Sequence, residues 1–144
     1  MKRSLPAALL IAGVVALAAT PLAATVDDSL SFALQAAEPN VKEGFNVRED
    51  YWGGDLGVKE QKGIAHQLFR GLEYWFWMGS ELESAKISVH VYDREGNLAE
   101  VESFQRKHLA GARIIPKRSG TYYVVVTIEA SPEERTPWAL AYGY

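Results

Sequence analysis

The chain has 144 residues, with 15 Lys and Arg against 18 Asp and Glu, 48% hydrophobic residues and no cysteine. The absent thiol excludes a disulfide framework and lipid attachment through cysteine, and the acidic balance speaks against nucleic acid or an anionic membrane surface as partner. This length suits one domain that closes a single core without metal or disulfide staples.

At the N-terminus Lys2 and Arg3 precede an apolar run from Leu5 to Ala19, and Pro21-Leu22-Ala23-Ala24 follows. This is the pattern of a secretory signal over residues 1–24, with cleavage expected after Ala24. Ala16-Leu17-Ala18 matches the small-x-small rule more strictly but would cut inside the apolar run. A retained anchor would need about 20 uninterrupted apolar residues, and Pro21 breaks this run, so no membrane span is expected in the mature chain. Removing residues 1–24 takes away Lys2 and Arg3 and no acid, so Lys and Arg fall from 15 to 13 against 18 acids, a net charge of −5.

Residues 25–43 read as a short helix and linker. Thr25-Val26-Asp27-Asp28 fits an N-terminal cap, with acids near the positive helix end. Leu30, Ala33, Leu34, Ala37 and Val41 recur at helical spacing, which predicts an amphipathic helix from about Val26 to Glu38, ended by Pro39. The alternative is an unstructured linker behind the signal. Because Ala139, Ala141 and Gly143 make a flat, small-residue face, the helix is expected to cover the sheet that holds the last strand.

From Gly44 the hydrophobic period becomes two and turn signals recur every eight to twelve residues, the pattern of a sandwich. Residues 44–144 are therefore expected to form an antiparallel β-sandwich, jelly-roll-like and mainly β. Strands are predicted over Phe45–Trp52, Ile64–Phe69, Glu73–Met78, Lys86–Asp93, Leu98–Phe104, Ala112–Ile115, Thr121–Ile128 and Trp138–Tyr144. Gly53-Gly54 with Gly57, Phe69-Arg70-Gly71, Arg94-Glu95-Gly96-Asn97 and Lys117-Arg118-Ser119-Gly120 supply the turns, with Gly120 expected at positive φ. Ile87, Val89 and Val91 share one face of a half-exposed strand. Tyr122 to Ile128, apolar on both faces, is expected to be covered above and below.

The segments Gly71-Leu72-Glu73-Tyr74-Trp75-Phe76, Val89-His90-Val91-Tyr92-Asp93 with Gly96-Asn97, Ser119-Gly120 followed by Thr121 to Val126, and Trp138-Ala139-Leu140 resemble the bacterial pre-peptidase C-terminal domain. That resemblance covers about Gly63 to Tyr144 and implies a jelly-roll-like sandwich of the kind appended to secreted peptidases. Members often carry acids leading into the strand before the Tyr-Asp turn, where this chain has Ala85-Lys86-Ile87-Ser88. With no peptidase in the chain, the accessory role transfers by analogy only.

Few residues form a chemical constellation. His66, His90 and His108 show no pair at a spacing that places two rings on one face, so no metal, catalytic group or cofactor is assigned and the rings are read as surface residues. Ser80 and Ser119 sit in turn-like contexts without a nucleophile elbow and are read as solvated. The pairs Glu81 and Glu83, and Glu100 and Glu102, are read as solvated faces. Gly53-Gly54-Asp55-Leu56-Gly57 lacks the lysine and helix of a phosphate loop.

The aromatic residues are the ligand-binding candidates. Trp75 and Trp77 point to one face about 7 Å apart, and Tyr74 and Phe76 to the other. Exposed, Trp52, Trp75, Trp77 and Trp138 could stack on sugar rings; the opposing reading buries them in the core. The sequence therefore leads to an exported, periplasmic or secreted, non-enzymatic accessory domain. Its partner is an unidentified protein or polysaccharide outside the cytoplasm, not nucleic acid, and a carbohydrate- or peptide-binding module is the alternative.

Overall fold

The structure is a computed structural model and describes residues 28–144. The expected signal sequence and the Thr25 to Asp27 part of the helix cap lie outside the described residues. A helix, α1 (28–42), leads into eight strands: β1 (Val47–Leu56), β2 (Gln61–Leu68), β3 (Tyr74–Gly79), β4 (Lys86–Tyr92), β5 (Glu102–Arg106), β6 (Leu109–Ile114), β7 (Gly120–Ala130) and β8 (Thr136–Gly143). Every predicted strand has a counterpart, with shifted ends.

Five strands form one sheet in the order β1-β8-β3-β6-β5, and three form the other in the order β2-β7-β4, all antiparallel. Strands 1, 2 and 3 pair with 8, 7 and 6, so the chain is one long antiparallel ribbon rolled into two sheets, the jelly-roll plan. The fourth pair of the ribbon, β4 with β5, is reduced to a bridge between Tyr92 and Leu98. Beyond Leu98 the chain turns the corner into the five-stranded sheet, where β5 pairs with β6. The strand predicted over Leu98–Phe104 is thus split, because one straight strand cannot serve both sheets.

Two apolar layers follow from the period-two alternation. Tyr74, Phe76 and Met78, with Trp138 and Leu140 of the same sheet, point between the sheets onto Ile87, Val89, Val91, Val124 and Val126. Trp75 and Trp77 point the other way, with Ala139 and Ala141, onto Ala33, Ala36 and Ala37 of α1. The helix therefore covers the face of the last strand, as its small residues imply. The strand buried on both faces is β3, every residue of which is buried. β7 is central in its sheet, but Tyr123 is exposed and Val125 half-buried, since no layer covers that sheet from outside.

The helix differs from expectation in rotation and length. Its buried positions are Ser29, Ala33, Ala36, Ala37 and Asn40, whereas Leu34 and Val41 are exposed. Close approach to the sheet selects small side chains and turns the larger ones to solvent: a Cβ on Gly79 would fall on the backbone of Phe32 and Ala33. α1 also continues through Pro39 to residue 42. Pro39 and Gln35 both face solvent, so water can take the carbonyl that proline leaves unpaired. The last turn is closed by a Schellman cap, with Phe45 N donating to Asn40 O at 3.1 Å, Gly44 N to Val41 O at 3.1 Å, and Gly44 at φ 113°.

Turn chemistry was read correctly at Gly71 and Gly96, which have φ of 94° and 85°. Gly53 and Gly54 are not a turn; they lie within β1, opposite Ala139 and Trp138. Gly120 opens β7 at φ 157°, the positive φ expected of it. The hairpin between β5 and β6 turns on Lys107 and His108, with Lys107 at φ 55°. No glycine marked it: Lys107 O accepts from Ile87 N and His108 O from Ser80 N, both at 3.0 Å, so tertiary hydrogen bonds hold the strained residue.

Candidate functional site

The links β2–β3 (residues 69–73), β4–β5 (93–101) and β6–β7 (115–119) meet at one end of the sandwich. They carry five exposed large apolar side chains, Phe69, Leu72, Leu98, Val101 and Ile115, against Val58 alone in the links of the opposite end. Leu98 is 59% exposed, Val101 53% and Ile115 47%. Single exposed apolar residues are ordinary on a protein surface, whereas several in one region make a candidate contact surface.

Hydrogen bonding makes these links rigid. Asp93 Oδ1 accepts from Glu95 N at 3.0 Å and Asn97 N at 2.9 Å, closing the turn at Gly96. Ala99 N donates to Val91 O and Val101 N to Arg113 O, both at 2.8 Å, which ties the corner segment to both sheets. Glu100 is the anchor between them. Its side chain, 6% exposed, accepts from Val91 N at 2.9 Å and meets His90 Nδ1 at 3.0 Å. With Ala99 and Glu100 turned inward, Leu98 and Val101 are turned out.

The facing wall is held as firmly. Tyr122 Oη donates to Arg118 O at 2.7 Å, the tyrosine-corner arrangement that fixes a chain entering a sandwich strand. Arg70 N donates to Ser119 Oγ at 2.8 Å and joins the first link to the third. Between the walls lies a groove of about 390 Å³ lined by Asp93, Leu98, Val101, Ile115, Lys117 and Arg118, with Glu100 and Tyr122 deeper in. This volume is in the range of ligand-binding clefts, about 300–1,000 Å³.

The other sequence candidates are structural. Trp75, Trp77 and Trp138 are 4%, 0% and 2% exposed, so these three indoles form no platform on the surface; an aromatic strand between two layers is consumed by both cores. Trp52 is half-buried and meets His66 edge-on, with ring centroids 5.3 Å apart. His66 also contacts Phe76 and Tyr142, and burial among these rings lowers its pKa, opposed by the Gln67 carbonyl and Asp50. His66 is thus a core-edge residue rather than a surface one, and His108, against Phe32 and 2.9 Å from Ser80 O, is also partly buried. Ser80 is fully buried, not solvated, and its Oγ caps Leu82 N at 3.1 Å. Glu100 and Glu102 do not share a solvated face: Glu102 joins Glu73 on the Arg113 guanidinium. Burial, with Asp28 nearby, raises the pKa of Glu81. Among the described residues, no three His, Asp or Glu side chains converge as a metal site would require.

Sequence reading missed this end because its signal is the exposure of ordinary aliphatic residues in turns. Leu98, Val101 and Ile115 look like strand residues until the corner and the tyrosine anchor orient them outward.

No protein-family model matches the chain, and no curated protein matches its sequence. Solved structures of similar shape exist. The chain is similar to the Yersinia pseudotuberculosis-derived mitogen at 16% identity and a TM-score of 0.51, over 69% of this chain and 86% of that one. PliG, a periplasmic inhibitor of g-type lysozyme from Aeromonas hydrophila, aligns at 16% identity and 0.48 over 70% and 88%. The surface-associated copper-binding protein CorA of Methylomicrobium album BG8 aligns at 10% and 0.45 over 62% and 92%. The likeness to the mitogen is one of fold alone, and the other two are too distant to carry an argument. The class defined is a small jelly-roll sandwich with a covering helix and a rigid apolar loop end.

Proposed function

We propose that this protein is an exported, non-enzymatic interaction domain that works through the loop end of its sandwich. The observation that carries the reading is the gathering of exposed Leu72, Leu98, Val101 and Ile115 on hydrogen-bonded links at one end. The N-terminal pattern over residues 1–24 supports export. The resemblance to the pre-peptidase C-terminal domain supports an accessory role beside another exported protein. His66, His90, His108, Ser80, Ser119, Glu100 and Glu102 are engaged in packing, hydrogen bonds and ion pairs, which favours a binding surface over turnover. Of the alternatives, a peptide-binding module fits this loop end, whereas stacking on sugars loses its platform with three of four indoles inside.

Photo-crosslinking in the producing cells tests the proposal. A photoreactive residue in place of Ile115 is expected to give discrete covalent adducts, and one in place of Val58, also exposed but at the opposite end, is expected to give none. Equal labelling at both positions, or none at Ile115, overturns it.

A further inference from the structure

The loop end of this acidic chain carries a group of exposed cations. Overall the protein carries −3, yet Arg70, Arg94, Lys117 and Arg118 all stand exposed at the loop end. Among the described residues Arg70, Arg94 and Lys117 make no ion pair, and Arg118 reaches only Glu95, at 3.9 Å with both side chains largely in solvent. Of the nearby acids, Asp93 caps its own turn, Glu73 is held by Arg113 and Glu100 is sealed against His90, while Glu95 stands exposed near Arg118. The groove therefore combines aliphatic walls at Leu98, Val101 and Ile115 with two exposed cations, Lys117 and Arg118.

Resting on the interface proposed above, we infer that the groove docks an extended acidic segment of a partner protein. Its apolar side chains seat on Leu98, Val101 and Ile115, and its carboxylates face Lys117 and Arg118. Two observations select this occupant. The charge of these cations is complementary to carboxylates, which steers encounter and fixes register. The site is a trough between two pieces of main chain, matched to a strand-like segment rather than to a flat surface.

Panning short random displayed peptides on the purified protein tests this. Enriched sequences are expected to set Asp or Glu beside Leu, Ile or Phe, and their binding is expected to weaken as salt is raised. Lys117→Glu with Arg118→Glu is expected to weaken binding by about tenfold or more, and Leu98→Ser similarly, each with an unchanged circular dichroism spectrum. Lys62→Glu, a charge reversal on β2, leaves binding unchanged. Enrichment of basic peptides, absence of enrichment, or retained binding by the charge-reversed variant overturns the inference. So does binding to phosphatidylglycerol vesicles in place of peptides, or self-association through this face in sedimentation equilibrium. Crosslinking at Ile115 with failed panning would keep the interface and reject the acidic partner; failure of both removes both.

Discussion

Asn40 joins the helix to the sheet through its side-chain amide. Its Oδ1 accepts the buried Trp77 indole N–H at 2.9 Å, and its Nδ2 donates to Glu43 at 2.8 Å, so one residue satisfies a core tryptophan and braces the helix cap. Asn40→Ala leaves that N–H inside without an acceptor, and about 1–3 kcal/mol of stability is expected to be lost in urea unfolding. His66 makes a second prediction. Its folded pKa lies below the ordinary 6.5, because burial disfavours the imidazolium. The unfolded chain then binds the proton more readily, so this residue's stabilising effect is complete above that ordinary value and is lost as pH falls from it toward the folded value. The thermal midpoint is expected to fall on acidification through about pH 6, and less steeply in His66→Phe; an unchanged slope would place the titration elsewhere.

At the scale of elements, the helix and β3 depend on each other. Gly79 allows the backbone at Phe32 and Ala33 to touch the strand. Gly79→Ala is therefore expected to force α1 off the sheet, costing about 1–3 kcal/mol, whereas Gly63→Ala, where nothing lies within 4 Å of an added Cβ, has no such clash. Deleting residues 25–40 would expose Trp75, Trp77, Ala139 and Ala141, which pack against Ala33, Ala36 and Ala37. The truncated protein is expected to melt lower, to bind more hydrophobic dye and to show red-shifted tryptophan emission; melting like the parent would make the helix a mere tether. The sequence reading located the covering face correctly through Ala139, Ala141 and Gly143, because small residues alternating with large ones have one physical use. It placed the helix stripe only in part: Ala33 and Ala37 are buried and Leu30 packs beside them, but Leu34 and Val41 face solvent. Hydrophobicity alone favoured Leu34, and only the separation between helix and sheet decides that alanine is the residue that fits.

At the scale of the whole molecule, the proposed export predicts a mature protein starting near Thr25, checked by intact mass on material from the envelope or medium; a cytoplasmic product starting at Met1 would remove it. The eight strands and the jelly-roll plan were legible because a half-buried strand writes its burial into the sequence with period two, and because Gly71 and Gly96 sit where the backbone must take a positive φ. The Lys107-His108 hairpin was not, since its strained residue is held by carbonyl bonds to the distant Ser80 and Ile87 rather than by local turn chemistry. The candidate site was the least legible part. The sequence by itself determined the class of fold, the covered face of the last strand and the absence of disulfides, which are properties of local pattern and composition. Only the tertiary structure decided that Trp75, Trp77 and Trp138 lie inside while Leu98, Val101 and Ile115 lie outside. Side-chain direction at a sheet corner depends on which distant strand each end of the segment joins, and no periodicity within the segment records that.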